Sequence, residues 1–473
     1  MRYIRSDATT LRSHMYRKQL NVLREWWISK RRKPLVIRGA RQVGKSTLVR
    51  IFAQEAGLVL NEVNLDRFPE LDAVFATKDP DRIIAELESL PNAHGISESS
   101  LLFVDEIQGA EHALPALRYF YEDRPELPLI AAGSLLEFTL RNHSFSMPVG
   151  RIEYLHLGPM VFSDFLLAMG EAKLAAMIKA FTFGSTIGAV AHQRLKELLR
   201  TYFFVGGMPE AVERFANSRQ HRSASDVHRS IIGTYRDDFP KYIGARDLVR
   251  IIKVFTYAAR SVGQKVKYTN FSIDYQGSTI RGDIDLLCLA RILTKVISSS
   301  CNGVPLEADA DQRVYKLLFL DVGLMNSLLG LKWSDISAVP DIRLVNEGAM
   351  AEQFVGQHLL DAHLEQSSGD LSYWLREGKG TNAEVDFVTS AAGKVVPIEV
   401  KSGAAGSLRS LHQFVGEKRL PLAIRLDLNL PSMQTVNTRI RSGQSHQDVR
   451  YDLLSLPLYL VERVHEAAAQ YYT

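Results

Sequence analysis

At 473 residues the chain is too long for one hydrophobic core and is expected to divide into about three domains of roughly 150 residues. Hydrophobic residues at 46%, charged residues at 23% and a net charge of +4 argue against disorder and permit nucleic-acid binding without demanding it. Two cysteines, Cys288 and Cys301, build neither a disulfide scaffold nor a zinc knuckle and read as ordinary thiols.

The N-terminal "MRYIRSDATTLRSHMYRKQL" lacks the apolar centre of a signal peptide, and no apolar run reaches about 18 residues, so a cytoplasmic location away from membranes is expected. The stretch from Arg17 to Lys33, with Lys30, Arg31, Arg32 and Lys33 consecutive, reads as the solvated end of a helix. The apolar run "PLVIR" then leads into "GARQVGKST", where Gly39, four residues, Gly44, Lys45 and Ser46 have the spacing of a phosphate-binding loop. A strand, a glycine-rich turn and a helix aim backbone N–H groups and the positive end of the helix dipole at phosphates. The nucleotide-binding residues are therefore expected to be Gly39, Ala40, Arg41, Gln42, Val43, Gly44, Lys45, Ser46 and Thr47, with Lys45 on the β and γ phosphates of ATP and Ser46 on Mg2+.

"SLLFVDEIQ" reads as a buried strand that delivers Asp105 and Glu106 to its C-terminal edge. Asp105 suits the magnesium shell, and Glu106 suits polarising the attacking water, because phosphoryl transfer asks mainly for positioning and charge neutralisation. The strand candidates "PLVIR", "LVLNEVNL", "LLFVDE", "LPLIAAGS" and "RIEYLHLGP" alternate with helical "DPDRIIAELESL" and "LPALRYFYEDR", which predicts a doubly wound α/β domain. Ser134, at the end of "LPLIAAGS", could sense the γ-phosphate or cap a helix over "LLEFTLRN".

Together "GARQVGKST", "LLFVDEIQ", "AAGSLLEF", "VGRIEYLHLGPMVFSDFL", "FVGGMPEAV", "KLLFLDVGLMNSLLG" and "AEVDFV" followed by "VPIEVKSG" resemble the AAA-like ATPases that carry a C-terminal DUF 4143 region, over nearly the whole chain. The resemblance implies an AAA-type strand order, Lys45, Ser46, Asp105 and Glu106 in the roles above, and Ser134 as the sensor group. Arg151 sits where such ATPases often present an arginine to a neighbouring subunit's nucleotide, which implies a homo-oligomer or closure on another domain; the alternative is an arginine that anchors the sheet edge. In "YFFVGGMPEAVERF", Gly206 and Gly207 precede Pro209 at a helix start, and related ATPases use such a turn to couple nucleotide to the helical region.

From residue 245 the pattern is helix, short helix, helix and strand, which suits a winged helix-turn-helix. Ser278 would cap its third helix, with Ile280, Ile284, Leu286, Leu287 and Leu289 near a core face. In a DNA complex the helix from Thr279 would enter the major groove, yet Asp283 and Asp285, beside Arg281, suit phosphates poorly and favour a protein-packing role.

The last domain runs helix "GAMAEQFVGQHLL", strands "LSYWLRE", "AEVDFVTS" and "KVVPIEVKSG", helix "SLRSLHQFVGEK" and strand "LAIRLDL", which resembles a restriction-endonuclease-like PD-(D/E)xK core. Its motif would be Asp386, twelve residues, Glu399, one residue, Lys401. Side chains alternate along a strand, so Glu399 and Lys401 point together, as do Glu384 and Asp386 on the neighbouring strand. Asp386 and Glu399 could hold Mg2+, Lys401 could orient a water, and Glu352 is available from the preceding helix.

The expected division is an ATPase core over 1–160, a helical connector over 161–240, a winged helix over 241–335 and a nuclease-like domain over 336–473. Two functions fit this sequence. In one, ATP turnover controls a metal-dependent nuclease acting on DNA; in the other, it toggles assembly with a protein partner and the C-terminal domain is an inactive nuclease fold that docks it.

Overall fold

The computed structural model describes residues 16–134, 150–243, 248–337, 347–366, 371–378, 382–401, 407–442 and 445–473. The helix expected over "LLEFTLRN" lies outside them. The described residues fall into two compact units, one of Tyr16–Gly158 with Leu289–Arg291 and one of Pro159–Cys288 with Ile292–Thr473. Among the described residues no helix is long and apolar enough to cross a membrane.

The first unit runs α1 (Gln19–Ile28), β1 (Leu35–Arg38), α2 (Lys45–Ala56), β2 (Val59–Asn64), α3 (Leu71–Phe75), α4 (Pro80–Glu88), β3 (Ser100–Asp105), α5 (Ala113–Asp123), β4 (Leu129–Gly133) and β5 (Glu153–His156). Its strands pair in parallel in the order β2-β3-β4-β1-β5. The apolar runs read from sequence become strands: β3 and β4 are buried along their length and β1 over its first three residues, as the middle of a parallel sheet between helices requires, while the edge strands β2 and β5 are partly exposed. Val36, Leu102, Val104 and Ala131 pack with Phe75, Leu117 and Phe120 in one core. Asp79 caps α4 by accepting from the N–H groups of Asp81 and Arg82, with Pro80 at the first helical position. Because β1 lies between β4 and β5, the strand order reverses there, and ligands of such sheets bind outside the C-terminal strand ends at this point.

The second unit begins with α6 (Phe162–Ala168), α7 (Ala172–Lys179), α8 (Ala189–Val205), α9 (Pro209–Ser218) and α10 (His221–Ile243). Three further helices, α11 (Leu248–Arg260), α12 (Tyr268–Phe271) and α13 (Gly277–Leu289), lead to the antiparallel strands β6 (Leu293–Ser299) and β7 (Ala310–Phe319). After α14 (Val322–Leu328) and α15 (Trp333–Ser337) come α16 (Glu347–Gln366), β8 (Ser372–Arg376), β9 (Ala383–Ala391), β10 (Lys394–Val400), α17 (Arg409–Lys418), β11 (Leu422–Asp427), β12 (Ser432–Ser442), β13 (Ser445–Pro457) and α18 (Val464–Tyr472).

The strands of this unit join in one sheet, β12-β13-β11-β10-β9-β8-β6-β7. The boundary expected near residue 335 is crossed by it, since β6 pairs with β8 through Ile297 opposite Ser372 and Ser298 opposite Tyr373. An exposed strand edge carries unpaired N–H and C=O groups, and this pairing covers the open edge of the β6–β7 hairpin. The Gly206–Gly207 turn is fastened within the same unit. Asp321 accepts from the Gly207 N–H at 2.6 Å, and an added Cβ on Gly206, which has a left-handed φ of 69°, would overlap that carboxylate.

Helix α13 corrects one electrostatic expectation. Asp283 is not on an outward face: it is 2% exposed and accepts from Arg250 Nε at 2.6 Å and Nη2 at 3.1 Å, tying α13 to α11. Asp285 is paired with Lys295. Both acidic charges that argued against nucleic acid are neutralised by neighbours far away in sequence. Removing a buried ion-pair partner strands the other charge, so Asp283→Ala should destabilise the chain by about 3 kcal/mol. Asp285→Ala, with a side chain 40% exposed, should cost about 1 kcal/mol or less. Urea unfolding of both variants checks the order, and equal losses would contradict it.

Candidate functional site

The loop expected to bind phosphate follows β1 and ends at Gly44, whose φ of 88° is left-handed; Gln42 shares that region at 65°. Helix α2 starts at Lys45, and its first backbone bond runs from the Leu48 N–H to the Gly44 carbonyl. Its N-cap is Gly44, which has no side chain to cap the first-turn N–H groups, and a helix start of this kind suits an anion. Lys45 is 8% exposed, and its ammonium donates to the Gly39 and Ala40 carbonyls at 3.0 and 2.9 Å. Gly39 is required by close approach, since a Cβ there would overlap the carbonyl oxygen of Leu157 just past β5.

Sequence reasoning missed Arg17 here. It is 4% exposed rather than solvated, and its guanidinium donates to the Val43 carbonyl within the loop at 3.1 Å and to the Gly158 carbonyl at 2.7 Å. It thereby ties the loop to the end of β5. Nothing in the local pattern distinguishes it from its basic neighbours, of which Lys30 and Arg31 are exposed.

At the end of β3, Asp105 Oδ2 accepts from Ser46 Oγ at 2.7 Å. Burial raises the Asp105 pKa, opposed by the Ser46 hydrogen bond. Ser46 and Asp105 thus set hydroxyl and carboxylate oxygens side by side beside the glycine-capped helix start, a donor set that would suit Mg2+ and a bound nucleotide. Glu106 has left-handed φ and ψ of 51° and 47°, a conformation that costs a non-glycine residue energy and turns its carboxylate out of the strand line. That carboxylate accepts from Gln108 Nε2 at 2.6 Å and from Ser134 Oγ at 3.2 Å, while Ser134 accepts from Arg41 Nε at 3.3 Å. The hydroxyl of Ser134 therefore faces Glu106. Gln108 is a second residue that sequence reasoning missed, and Gly133 leaves it room, because a Cβ there would overlap its amide oxygen.

Arg151 lies beside the start of β5, next to the start of β1 and so at the opposite end of the sheet from the loop. Its Nε donates to Glu122 of α5 at 2.9 Å, and its guanidinium lies 5.7 Å from the ring centre of Tyr121.

In the second unit, β9 and β10 pair antiparallel with Ile398 opposite Phe387, which brings Asp386 beside the end of β10. Asp386 Oδ2 accepts from the Val400 N–H at 2.8 Å, and Lys401 Nζ pairs with Glu399 Oε1 at 2.6 Å. Gln353 of α16 exchanges two hydrogen bonds with the backbone of Phe319 on β7, at 2.8 and 2.6 Å, and this docks Glu352 beside Lys316. Lys316, which the sequence did not mark, is 2% exposed; it pairs with Glu384 and lies 3.5 Å from Glu352 Oε2. Burial, then the charge of Asp386, pushes Glu352 up to about 8 and Glu399 up to about 7.

The structure places Asp386, Glu399 and Lys401 at the ends of β9 and β10, and Glu352 3.5 Å from Lys316. Among the described residues no three His, Cys, Asp or Glu side chains gather as a metal site, one Asp386 oxygen is taken by backbone, and two ammonium groups already sit among the carboxylates. Burial pushes the Cys301 thiol up to about 11 and the Cys288 thiol up to about 12, which disfavours the thiolate.

Residues 31–166 match the AAA domain family, residues 196–335 the domain of unknown function DUF8612, and residues 347–434 the domain of unknown function DUF4143. No curated protein matches the chain. Solved structures similar to it include the RuvB Holliday junction branch migration motor of Thermotoga maritima, 16% identical over 59% of this chain and 88% of that one with a TM-score of 0.27. The ORC2 protein of Aeropyrum pernix is 13% identical over 72% of this chain and 95% of its own, with a TM-score of 0.31. The ORC1 protein of the same organism, solved with DNA, is 14% identical over 67% and 94%, with a TM-score of 0.27. Scores this low carry no inference about function. Residues 31–166 form an AAA-type, P-loop ATPase-like region, and the chain joins it to a C-terminal DUF4143 region.

Proposed function

We propose that the chain binds and hydrolyses ATP with Mg2+ and uses this cycle as a switch, its C-terminal domain docking a protein partner instead of cutting nucleic acid. The observation that supports the engine is the side-by-side placement of the Ser46–Asp105 pair and the Glu106 carboxylate held by Gln108 and Ser134. Lys45 and the first-turn N–H groups of α2 would hold the phosphates, and Ser46 with Asp105 would hold Mg2+. When bound, the ion would offset charge on the transferring phosphate; Glu106 would orient the water, and Ser134 would keep that carboxylate in place.

Three helices followed by the β6–β7 hairpin fit a winged helix, and α16, β8, β9, β10, α17 and β11 follow the helix-strand order of a restriction-endonuclease-like core. The docking reading is favoured because the carboxylates of that core do not gather as a metal site. The second reading, a DNA nuclease, is supported by Asp386, Glu399 and Lys401 meeting at the ends of β9 and β10. Arg151, at the end of the sheet away from its own loop, is proposed to serve the nucleotide of a neighbouring copy.

Glu106→Gln should keep ATP binding within about threefold of the parent and lower phosphate release by about 100-fold or more, while Lys45→Ala should weaken binding itself. Fluorescent-nucleotide titration beside a phosphate-release assay separates the two, and normal turnover in Glu106→Gln would remove that residue from the mechanism. Mixing inactive Arg151→Ala and Glu106→Gln chains tests the arginine: mixed assemblies should recover turnover, because one neighbour supplies the carboxylate and the other the arginine. Absence of any recovery in assemblies shown to be mixed would confine Arg151 to anchoring the sheet edge.

A further inference from the structure

The sheet of the second unit ends in β7 on one side and β12 on the other. The β7 end is covered: Lys265 bridges to Lys316, and the Val266 N–H donates to the Tyr315 carbonyl at 2.9 Å. The β12 end is neither short nor bulged, and short strands, bulges and covers are what usually blunt an edge. Its pairing with β13 runs unbroken from Ser432 opposite Ser455 to Ser442 opposite Ser445, and the strand contains neither proline nor lysine. Among the described residues no strand pairs with its outer edge; α17 reaches it at Arg441, where Gln413 Nε2 donates to the carbonyl at 3.1 Å.

A second observation says what the edge would accept. One face of the β12–β13 hairpin belongs to the core, where Val436 and Ile440 pack with Val449 and Tyr451. Side chains alternate, so the other face presents Met433, Asn437, Arg439 and Arg441 with Asp448 and Arg450, all exposed. Arg439 and Arg450 both line a cleft of about 450 Å3 on this hairpin, and Asp448 is the one acid in its lining. Asp448 pairs with Arg439 at 2.6 Å, both side chains being over 70% exposed, whereas Arg450 stands opposite Asn437. An exposed ion pair contributes about 1 kcal/mol or less, so the cleft keeps an excess of positive charge. Beside the start of β12, Leu430 and Met433 are 43% and 38% exposed and offer apolar surface.

We propose that the outer edge of β12 is the docking strand of this domain, and that its occupant is an extended acidic segment of the protein partner, which pairs its backbone with β12 and sets a carboxylate against Arg439 and Arg450. The proposal deepens the docking reading and rests on it, since it names the surface and the partner's chemistry. In strand addition of this kind main-chain hydrogen bonds supply affinity, and side chains at alternate positions supply choice. A second copy of β12 fits less well, because its charged side chains are both arginines and would bring more positive charge to the cleft. A nucleic-acid backbone would meet the arginines but offers no strand to the edge.

The test uses the full chain and a fluorescein-labelled peptide in which glutamate alternates with valine, followed by fluorescence anisotropy. The chain should bind it about tenfold more tightly than the same peptide with lysine in place of glutamate. Methylating the peptide's amide nitrogens keeps its charge and removes its strand donors, and should also weaken binding about tenfold. Arg450→Glu should reverse the preference between the two peptides and leave the melting temperature unchanged. Absence of peptide binding, indifference to peptide charge or indifference to methylation overturns the proposal. So does duplex DNA that displaces the peptide and itself binds through Arg450, or self-association of the chain that the peptide reverses, since the edge would then belong to nucleic acid or to a second copy. Any of these failures with DNA left uncut in Mg2+ and ATP leaves the switch reading standing, whereas cleavage removes that reading itself.

Discussion

Asp105, Asp283, Asp321 and Glu399 are 6%, 2%, 0% and 5% exposed, and a carboxylate taken out of water must be supplied with donors or a cation. Each compact unit is organised around that demand. Asp105 takes the Ser46 hydroxyl and the Glu106 N–H, which fixes the end of β3 against the start of α2. Asp321 takes the N–H groups of Gly207 and Leu324, and its pKa is raised to about 6 by burial, against the pull of these bonds. Asp283 takes a guanidinium and Glu399 takes an ammonium. Ser46 thereby holds a helix start to a strand end, Arg250 holds one helix to another, and Asp321 fastens the Gly206–Gly207 turn, so the charge requirement and the fold are met together.

Much of the nucleotide region was legible because its chemistry is local. In "GARQVGKST" the residues that act together lie within nine positions, and in "SLLFVDEIQ" an apolar run announces its strand while the acidic pair marks its end. The C-terminal motif was readable for the same reason, since alternation along β9 and β10 dictates which side chains share a face. Partners distant in sequence were not readable. Arg17 looks like its solvated neighbours until the fold lays it against Val43 and Gly158. Asp283 looks like a surface charge on a recognition helix until Arg250 meets it. Lys316, in "QRVYKLLFL", gives no sign of its destination among carboxylates from one helix and one other strand.

The one sheet that runs across the expected boundary near residue 335 was not legible for a related reason. Nothing in the local pattern of β6 says that its edge will be covered by β8 rather than by water. Glycine roles divided in the same way. The left-handed φ of Gly44 follows from the loop pattern, whereas Gly39 is explained by the Leu157 carbonyl, which only the parallel pairing of β1 and β5 brings near.

The proposed function confines nucleotide chemistry to the first unit and gives the C-terminal domain of the second a docking role without cutting. The most direct measurement is a single reaction of purified chain with Mg2+ and ATP, with linear, branched or single-stranded DNA, following phosphate release and DNA length together beside Asp386→Ala. The account predicts ATP turnover with every DNA left intact and no difference between the two proteins. Cleavage by the parent chain that is lost in Asp386→Ala would contradict it and make the C-terminal domain a nuclease.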